Sequence, residues 1–368
     1  MKEAIGNKQI VFILFASIVG FPFSIPMDFA VSAGTCGWTI AIICALLATP
    51  PIFMISSINM HYEKRGFHEY IEDIAGKYLA LAIMIFFLAR YLSSTMMVAG
   101  SITRLVRLTI LEFTPLWALF IVFIACCSYT SSKSLTSLSY IYEFYGLILT
   151  FIFSLLILAM LTKGDFINLR PFFVKEDMPT YLKEGFRNLI AFAGFDKLFF
   201  VPLFRKENKK IHKYLVVSIL LITICYIASF EATLAVSGVN ETVLYDDIFF
   251  LSIRGIELHH FDLIRRLDLF ALSNFIFSSL MIVSFNLYAS NVIIYHYLQK
   301  LNFRSVTIPL ISVIIYIFAS IICISFASIF TSEAYVKITS NMAIVASYII
   351  PIILFTIVKV KNYEKKTL

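Results

Sequence analysis

Ten long apolar runs follow one another along the chain, and the charged residues are swept into the gaps between them. A helix needs about 20 apolar residues to cross a bilayer. In lipid, backbone polar groups must be satisfied by helices or by a closed barrel, and barrel strands would read as short alternating segments. Charged residues make up only 14% of the chain, against about 25% in soluble domains. The sequence therefore describes an all-α integral membrane protein. The runs cover about residues 9–32, 37–58, 78–103, 115–131, 137–161, 186–204, 214–237, 268–299, 306–330 and 341–358.

A net charge of +7 would suit nucleic acid, but the position of the charges points elsewhere. With the N-terminus inside, the inner segments hold 17 of the 30 Lys and Arg residues and the outer segments 11. By the positive-inside rule both termini are cytoplasmic, and no nucleic-acid partner is expected. The opening run is too long, and too interrupted at Pro22 and Pro26, for a cleaved signal peptide. Cys36, Cys44, Cys126, Cys127, Cys225 and Cys323 lie mostly inside apolar runs without metal-ligand spacing, and read as small packing residues. Between the second and third runs, Phe67, Tyr70, Ile71, Ile74 and Ala75 recur at helical spacing among charged residues. That pattern predicts an amphipathic helix over 60–77 lying on the membrane surface.

Two runs carry breaks. The sixth has Ala193-Gly194 at its middle, followed by Asp196 and Lys197. Glycine costs a helix about 1 kcal/mol relative to alanine, and a charge at membrane depth about 2.5–3.5 kcal/mol on insertion scales. Such a span breaks at mid-membrane and offers free backbone groups and a carboxylate to something polar; the simpler alternative is close packing at Gly194, with Asp196 and Lys197 snorkelling or paired. The first run is interrupted at Gly20-Phe21-Pro22, where Pro22 removes a donor and disfavours helix at Phe21. Elsewhere, the third run carries Arg90 and Ser93-Ser94, the fifth carries Glu143 amid tyrosines, and Ser279, Asn286 and Ser290 share one face of the eighth.

Ten spans divide into two sets of five, and because five is odd the second set enters the membrane from the opposite side. The first span of each set is the broken one. This is the pattern of an inverted-repeat transporter fold with its ligand near the midplane, between the two discontinuous helices. The expected division is a first five-helix repeat over 1–161, an external loop over 162–185, a second repeat over 186–359 and a cytoplasmic tail over 360–368. Freed helix N-termini favour anionic groups and freed carbonyls favour cations. A zwitterionic amino acid satisfies both, and other small polar ligands stay open. The candidate ligand-binding residues are Gly20, Phe21, Pro22, Ser94, Ala193, Gly194, Phe195, Asp196 and Asn286; the candidate proton-relay residues are Asp196 and Glu143. For Glu143 a hydrogen bond to a neighbouring tyrosine is the plainer alternative.

Five motifs carry a resemblance. They are Cys36-Gly37-Trp38, Thr114-Pro115, Leu169-Arg170-Pro171, Phe192-Ala193-Gly194-Phe195-Asp196, and Arg266-Leu267-Asp268 with Phe270. In this order and spacing the chain resembles the B subunits of GerA-type spore germinant receptors, endospore germination permeases of the amino acid–polyamine–organocation superfamily. It departs from that family twice: Val19-Gly20-Phe21 with Pro22 stands where the family has Gly-x-Gly, and Asp196 stands where it has Glu. The resemblance implies a LeuT-like fold and a membrane subunit that binds a small nutrient germinant, often an amino acid, to trigger germination. It also implies a larger A subunit and a lipoprotein C subunit as partners, in the spore inner membrane. The competing reading is a proton-coupled amino acid transporter. No nucleophile–base pair, metal cluster or phosphate loop stands out in the sequence, so neither an enzyme nor a cofactor is expected.

Overall fold

The computed structural model describes residues 5–19, 25–245, 247–256, 267–301, 307–326 and 332–367. Within these residues the chain forms a bundle whose elements follow the ten runs. The first span is two helices, α1 (Asn7–Val19) and α2 (Ile25–Ala33). α3 (Trp38–His61) is the second span, continuous through Pro50 and Pro51. α4 (Phe67–Thr109), α5 (Leu116–Ser131) and α6 (Leu135–Lys163) complete the first half. In the second half, α7 (Met178–Arg187) leads into the sixth span, and α8 (Ile211–Thr242) is the seventh. The short α9 (Ile248–Arg254) precedes α10 (Leu267–Lys300) and α11 (Ile308–Phe326). The last span joins α12 (Glu333–Ile344) to α13 (Ile350–Thr367) through a π-helical turn at Val345–Ile349.

Six of these elements are long and apolar enough to cross a membrane: α3, α4, α6, α8, α10 and the final joined span. α1, α5 and α11 are shorter apolar helices. With the broken sixth, they complete ten spans of a multi-pass membrane protein. The outward side chains of α6, including Phe144, Leu147, Phe151, Leu155 and Leu158, are exposed, which suits a surface that meets lipid tails rather than water. Inward, α4 packs along α10, α1 along α6 and α8, and α3 along α8 and α13.

The surface helix departs from expectation. It begins at Phe67, and Phe67, Tyr70, Ile71 and Ile74 are fully buried in the protein. Phe67 stacks on Phe199 with ring centroids 4.5 Å apart and meets Phe87 edge-on at 5.4 Å. The apolar stripe thus caps the bundle end instead of floating on headgroups. At the aqueous end of a bundle each such side chain contributes about 1.5–3 kcal/mol by leaving water. Gly76, at φ 75° and ψ 168°, turns this helix into the third span, a conformation that a side chain would strain.

The sixth span differs more. In place of two half α-helices it has two 3-10 segments, Leu189–Phe192 and Phe195–Phe200, flanking Ala193 and Gly194. Its N-terminal approach is α7, which lies partly within the expected loop; the charges of Lys183, Glu184 and Arg187 hid a helix there. Two of the five motifs meet at the end of the bundle opposite the termini. Thr35 Oγ1 donates to the Pro171 carbonyl at 2.5 Å, and Trp38 Nε1 to the Phe172 carbonyl at 3.0 Å. Trp38 also stacks on the Phe172 ring. α9 turns Ile248, Phe249, Phe250 and Ile253 inward, while Arg266 of the fifth motif lies outside the described residues.

Candidate functional site

The two broken spans touch at Gly194. Its φ is +120°, and a Cβ there would sit 2.6 Å from the Ser17 carbonyl oxygen near the end of α1. Only a glycine allows this approach, because any side chain would meet both backbone strain and a backbone oxygen. The Gly194 N–H donates to Ser347 Oγ at 3.0 Å, and Ser347 Oγ donates to Asp196 Oδ1 at 3.1 Å. Ser347 lies in the π-helical turn of the last span, a geometry that recurs at functional sites. Tyr226 of α8 ties the two breaks together from the other side. Its hydroxyl lies 2.9 Å from the Ile18 carbonyl and 2.8 Å from that of Ala191, one on each broken span.

The second 3-10 segment of the sixth span is fixed by Asn59 of α3, whose Nδ2 donates to the Leu198 carbonyl at 2.7 Å and the Val201 carbonyl at 3.0 Å. These two bonds satisfy carbonyls that a 3-10 end leaves free. Held this way, Asp196 and Lys197 are both buried, at 0% and 2% exposure. Neither snorkels, and Lys197 forms no ion pair among the described residues; its Nζ sits 5.9 Å over the Phe285 ring of α10. Asp196 Oδ2 has no hydrogen-bond partner. The buried Tyr91 hydroxyl lies close enough to interact electrostatically with the Asp196 carboxylate.

Among the residues singled out in the sequence, Ala193, Gly194, Phe195 and Asp196 come together at this junction. Phe195 is fully buried, edge-on to Tyr348 at 5.2 Å. Ser94 is buried on α4, one turn beyond Arg90. Asn286 is fully buried on α10 with both amide atoms unpartnered, on a helix that packs against 195–200 and against α4. Gly20, Phe21 and Pro22 lie outside the described residues. Glu143 sits apart, half-buried on α6, and the adjacent Tyr142 hydroxyl donates to the Met281 carbonyl at 2.7 Å instead. A small cavity between α1, α6 and α10, lined by residues including Phe15, Val19, Asn274 and Ser278, does not reach Asp196.

Sequence reasoning missed Tyr226, Ser347 and Glu231. Glu231 lies in α8 with both carboxylate oxygens buried and unpartnered. For Glu231 and Ser347 the signal was present, a lone polar group deep in an apolar run. Tyr226 gives no such signal, since a tyrosine is unremarkable in a span. Among the described residues, no group of His, Cys, Asp and Glu could hold a metal ion.

The family profile described as spore germination protein (spore permease) matches residues 4–327. The chain belongs to the spore germination protein family. Among the relatives of this member, spore germination protein YndE of Bacillus subtilis (strain 168) is 25% identical over 207 residues, 56% of this chain and 57% of that protein. Spore germination protein A2 of the same organism is 24% identical over 195 residues, 53% of each. The matched part thus spans a little over half the length of either relative. In solved structures the same fold occurs in a Na+-coupled sialic acid symporter (TM-score 0.66, 15% identity, 93% of this chain and 76% of that one). It also occurs in MhsT in complex with L-phenylalanine (TM-score 0.66, 13% identity, 97% and 89%). At such identities the likeness is one of fold, the LeuT fold of two inverted five-helix repeats with broken first and sixth helices.

Proposed function

We propose that this spore germination protein is the membrane subunit of a germinant receptor, and that it binds a small nutrient, an amino acid class of ligand, between its two broken spans. The observation that carries the reading is the junction at Gly194. There the broken spans meet without a side chain between them, and buried polar groups beside them lack protein partners. Native proteins leave few buried polar atoms unpaired, and each such atom costs about 1–3 kcal/mol, so a concentration of them marks a place built for something else. Ligand binding there shifts the bundle between conformations, and the larger A subunit and lipoprotein C subunit read the shift. In this reading the protein lies in the spore inner membrane with both termini cytoplasmic, and 1–161 and 186–359 are the two repeats that rock against each other.

The test is purification of the tagged chain from dormant-spore membranes. Recovery of A-type and C-type subunits in stoichiometric amounts is the expected result. A chain that comes down alone, or is absent from spores and present in growing cells, would replace this reading with a proton-coupled amino acid transporter.

A further inference from the structure

The loop after the sixth span and the first turn of α8 carry Arg205, Lys206, Lys209, Lys210 and Lys213 against a single acid, Glu207. All of these side chains are exposed. Other cations at this end of the bundle have fixed partners: Arg65 pairs with Asp73, Lys300 with Glu72, and Lys361 donates to two carbonyls. Arg205 is engaged too, its Nε donating to the Met60 carbonyl at 3.2 Å. Among the described residues, Lys206, Lys209, Lys210 and Lys213 form no ion pair.

This repelling group is nonetheless held in place. Asn208, 0% exposed, accepts from the Phe204 N–H at 2.9 Å and donates to the Ile5 carbonyl at 3.1 Å and to Asn7 Oδ1 at 2.8 Å. The Lys64 N–H donates to the Leu203 carbonyl at 3.3 Å, and the Arg205 N–H to Glu63 Oε1 at 3.1 Å. Fixing a run of like charges costs both entropy and repulsion, and a bound anion offsets the repulsion. What lies beside the run identifies that anion. Lys213 is followed on α8 by Val216, Val217, Leu220 and Ile224, which share its side of the helix and are 41%, 45%, 55% and 62% exposed. Such an apolar column suits acyl chains. Lys213, with Lys209 and Lys210 one turn before it, therefore stands where the headgroups of that leaflet begin.

We propose that Lys206, Lys209, Lys210 and Lys213 bind the phosphate headgroups of anionic phospholipids, and that the bound lipid steadies the broken sixth span. The ammonium groups donate charge-assisted hydrogen bonds to phosphate, while the column from Val216 to Ile224 receives the acyl chains. A zwitterionic headgroup brings its own cation to the lysines and gains less. Arg205 follows Phe200, the end of the second 3-10 segment, by five residues, so a headgroup seated on the run bears on the segment that carries Asp196. The inference does not depend on which ligand the Gly194 junction takes.

The test uses the full chain purified in detergent, with thermal stabilisation titrated against phosphatidylglycerol, phosphatidylcholine and inorganic phosphate. Phosphatidylglycerol is expected to stabilise at concentrations about tenfold or more below phosphatidylcholine, with no effect of inorganic phosphate at those concentrations. The preference should shrink as salt rises from about 0.05 to about 0.5 M. Lys209→Gln/Lys210→Gln/Lys213→Gln is expected to reduce it to about threefold or less, with the lipid-free melting temperature unchanged or raised. Lys175→Gln/Lys183→Gln, at the opposite end of the bundle, should keep it in full. Equal response to the two lipids, or a preference unchanged in the triple variant, would overturn the inference and give the run to an acidic protein segment or to solvent. Equal loss in the double variant would overturn it as a general charge effect. Stabilisation by inorganic phosphate at the same concentrations as phosphatidylglycerol would overturn the lipid assignment in favour of a soluble phosphate.

Discussion

Two polar regions of this protein obey opposite rules. At the end of the bundle that carries both termini, the described polar groups are largely partnered. Asn59 holds two carbonyls of the sixth span and accepts from the Tyr70 hydroxyl. Asn208 donates to the Ile5 carbonyl at 3.1 Å and to Asn7 at 2.8 Å. Arg65 pairs with Asp73 at 2.6 Å, Lys300 pairs with Glu72, and Lys361 Nζ donates to the Asp73 and Ile74 carbonyls. At mid-membrane, by contrast, Arg90 Nε, Thr95 Oγ1, Asp196 Oδ2 and the Asn286 amide have no protein partner. Water can complete the first region at little cost, whereas the second is shielded from it, so unpaired groups there are the expensive ones. The comparison separates a clamp, which ties the sixth span to the surface helix and the chain ends, from a group of buried polar atoms that the protein leaves unpartnered, where we propose the ligand binds.

The largest stability effect belongs to the clamp. Asn59→Ala strands the Leu198 and Val201 carbonyls and the Tyr70 hydroxyl in a buried setting, at a cost of about 2–4 kcal/mol. A clear drop in melting temperature is expected; an unchanged one would show that the clamp does not hold the sixth span. Asn286→Leu should act in the opposite direction, because it removes an unpaired buried amide of similar size. The unliganded protein is expected to gain up to about 1 kcal/mol while losing nutrient response. Destabilisation in that variant would mean that the amide serves packing, and the contrast between clamp and site would fail there. Lys300→Ala should do least. Its pair with Glu72 is partly exposed, worth about 0–1 kcal/mol, and its contribution should fade with added salt.

Much of this arrangement was legible in the sequence. Ten apolar runs set the spans, and the Ala193-Gly194 and Gly20-Phe21-Pro22 interruptions marked the broken ones, although the latter lies outside the described residues. Asp196 stood out because a carboxylate inside an apolar run is costly, although snorkelling or pairing with Lys197 was an equally ready reading of the sequence. The partners that define its surroundings were not. Ser347 reaches Asp196 from 151 residues away along the chain, and nothing local in the sequence connects them. The surface helix was read correctly as amphipathic but placed against lipid, since a stripe of Phe67, Tyr70, Ile71 and Ile74 looks the same whether it faces headgroups or protein. The 3-10 form of the sixth span was hidden for a related reason. Its carbonyls are satisfied by Asn59 and Tyr226 from other helices, and no propensity within 187–204 reports that.

The most direct test of the central claim is the nutrient response of spores carrying Gly194→Leu, with the chain quantified in their membranes. A side chain at that position must displace the Ser17 carbonyl and push the two broken spans apart. The account predicts loss of the response with the protein made and inserted at normal levels. A normal response from normally inserted protein would contradict it, and would move the ligand away from the junction of the broken spans.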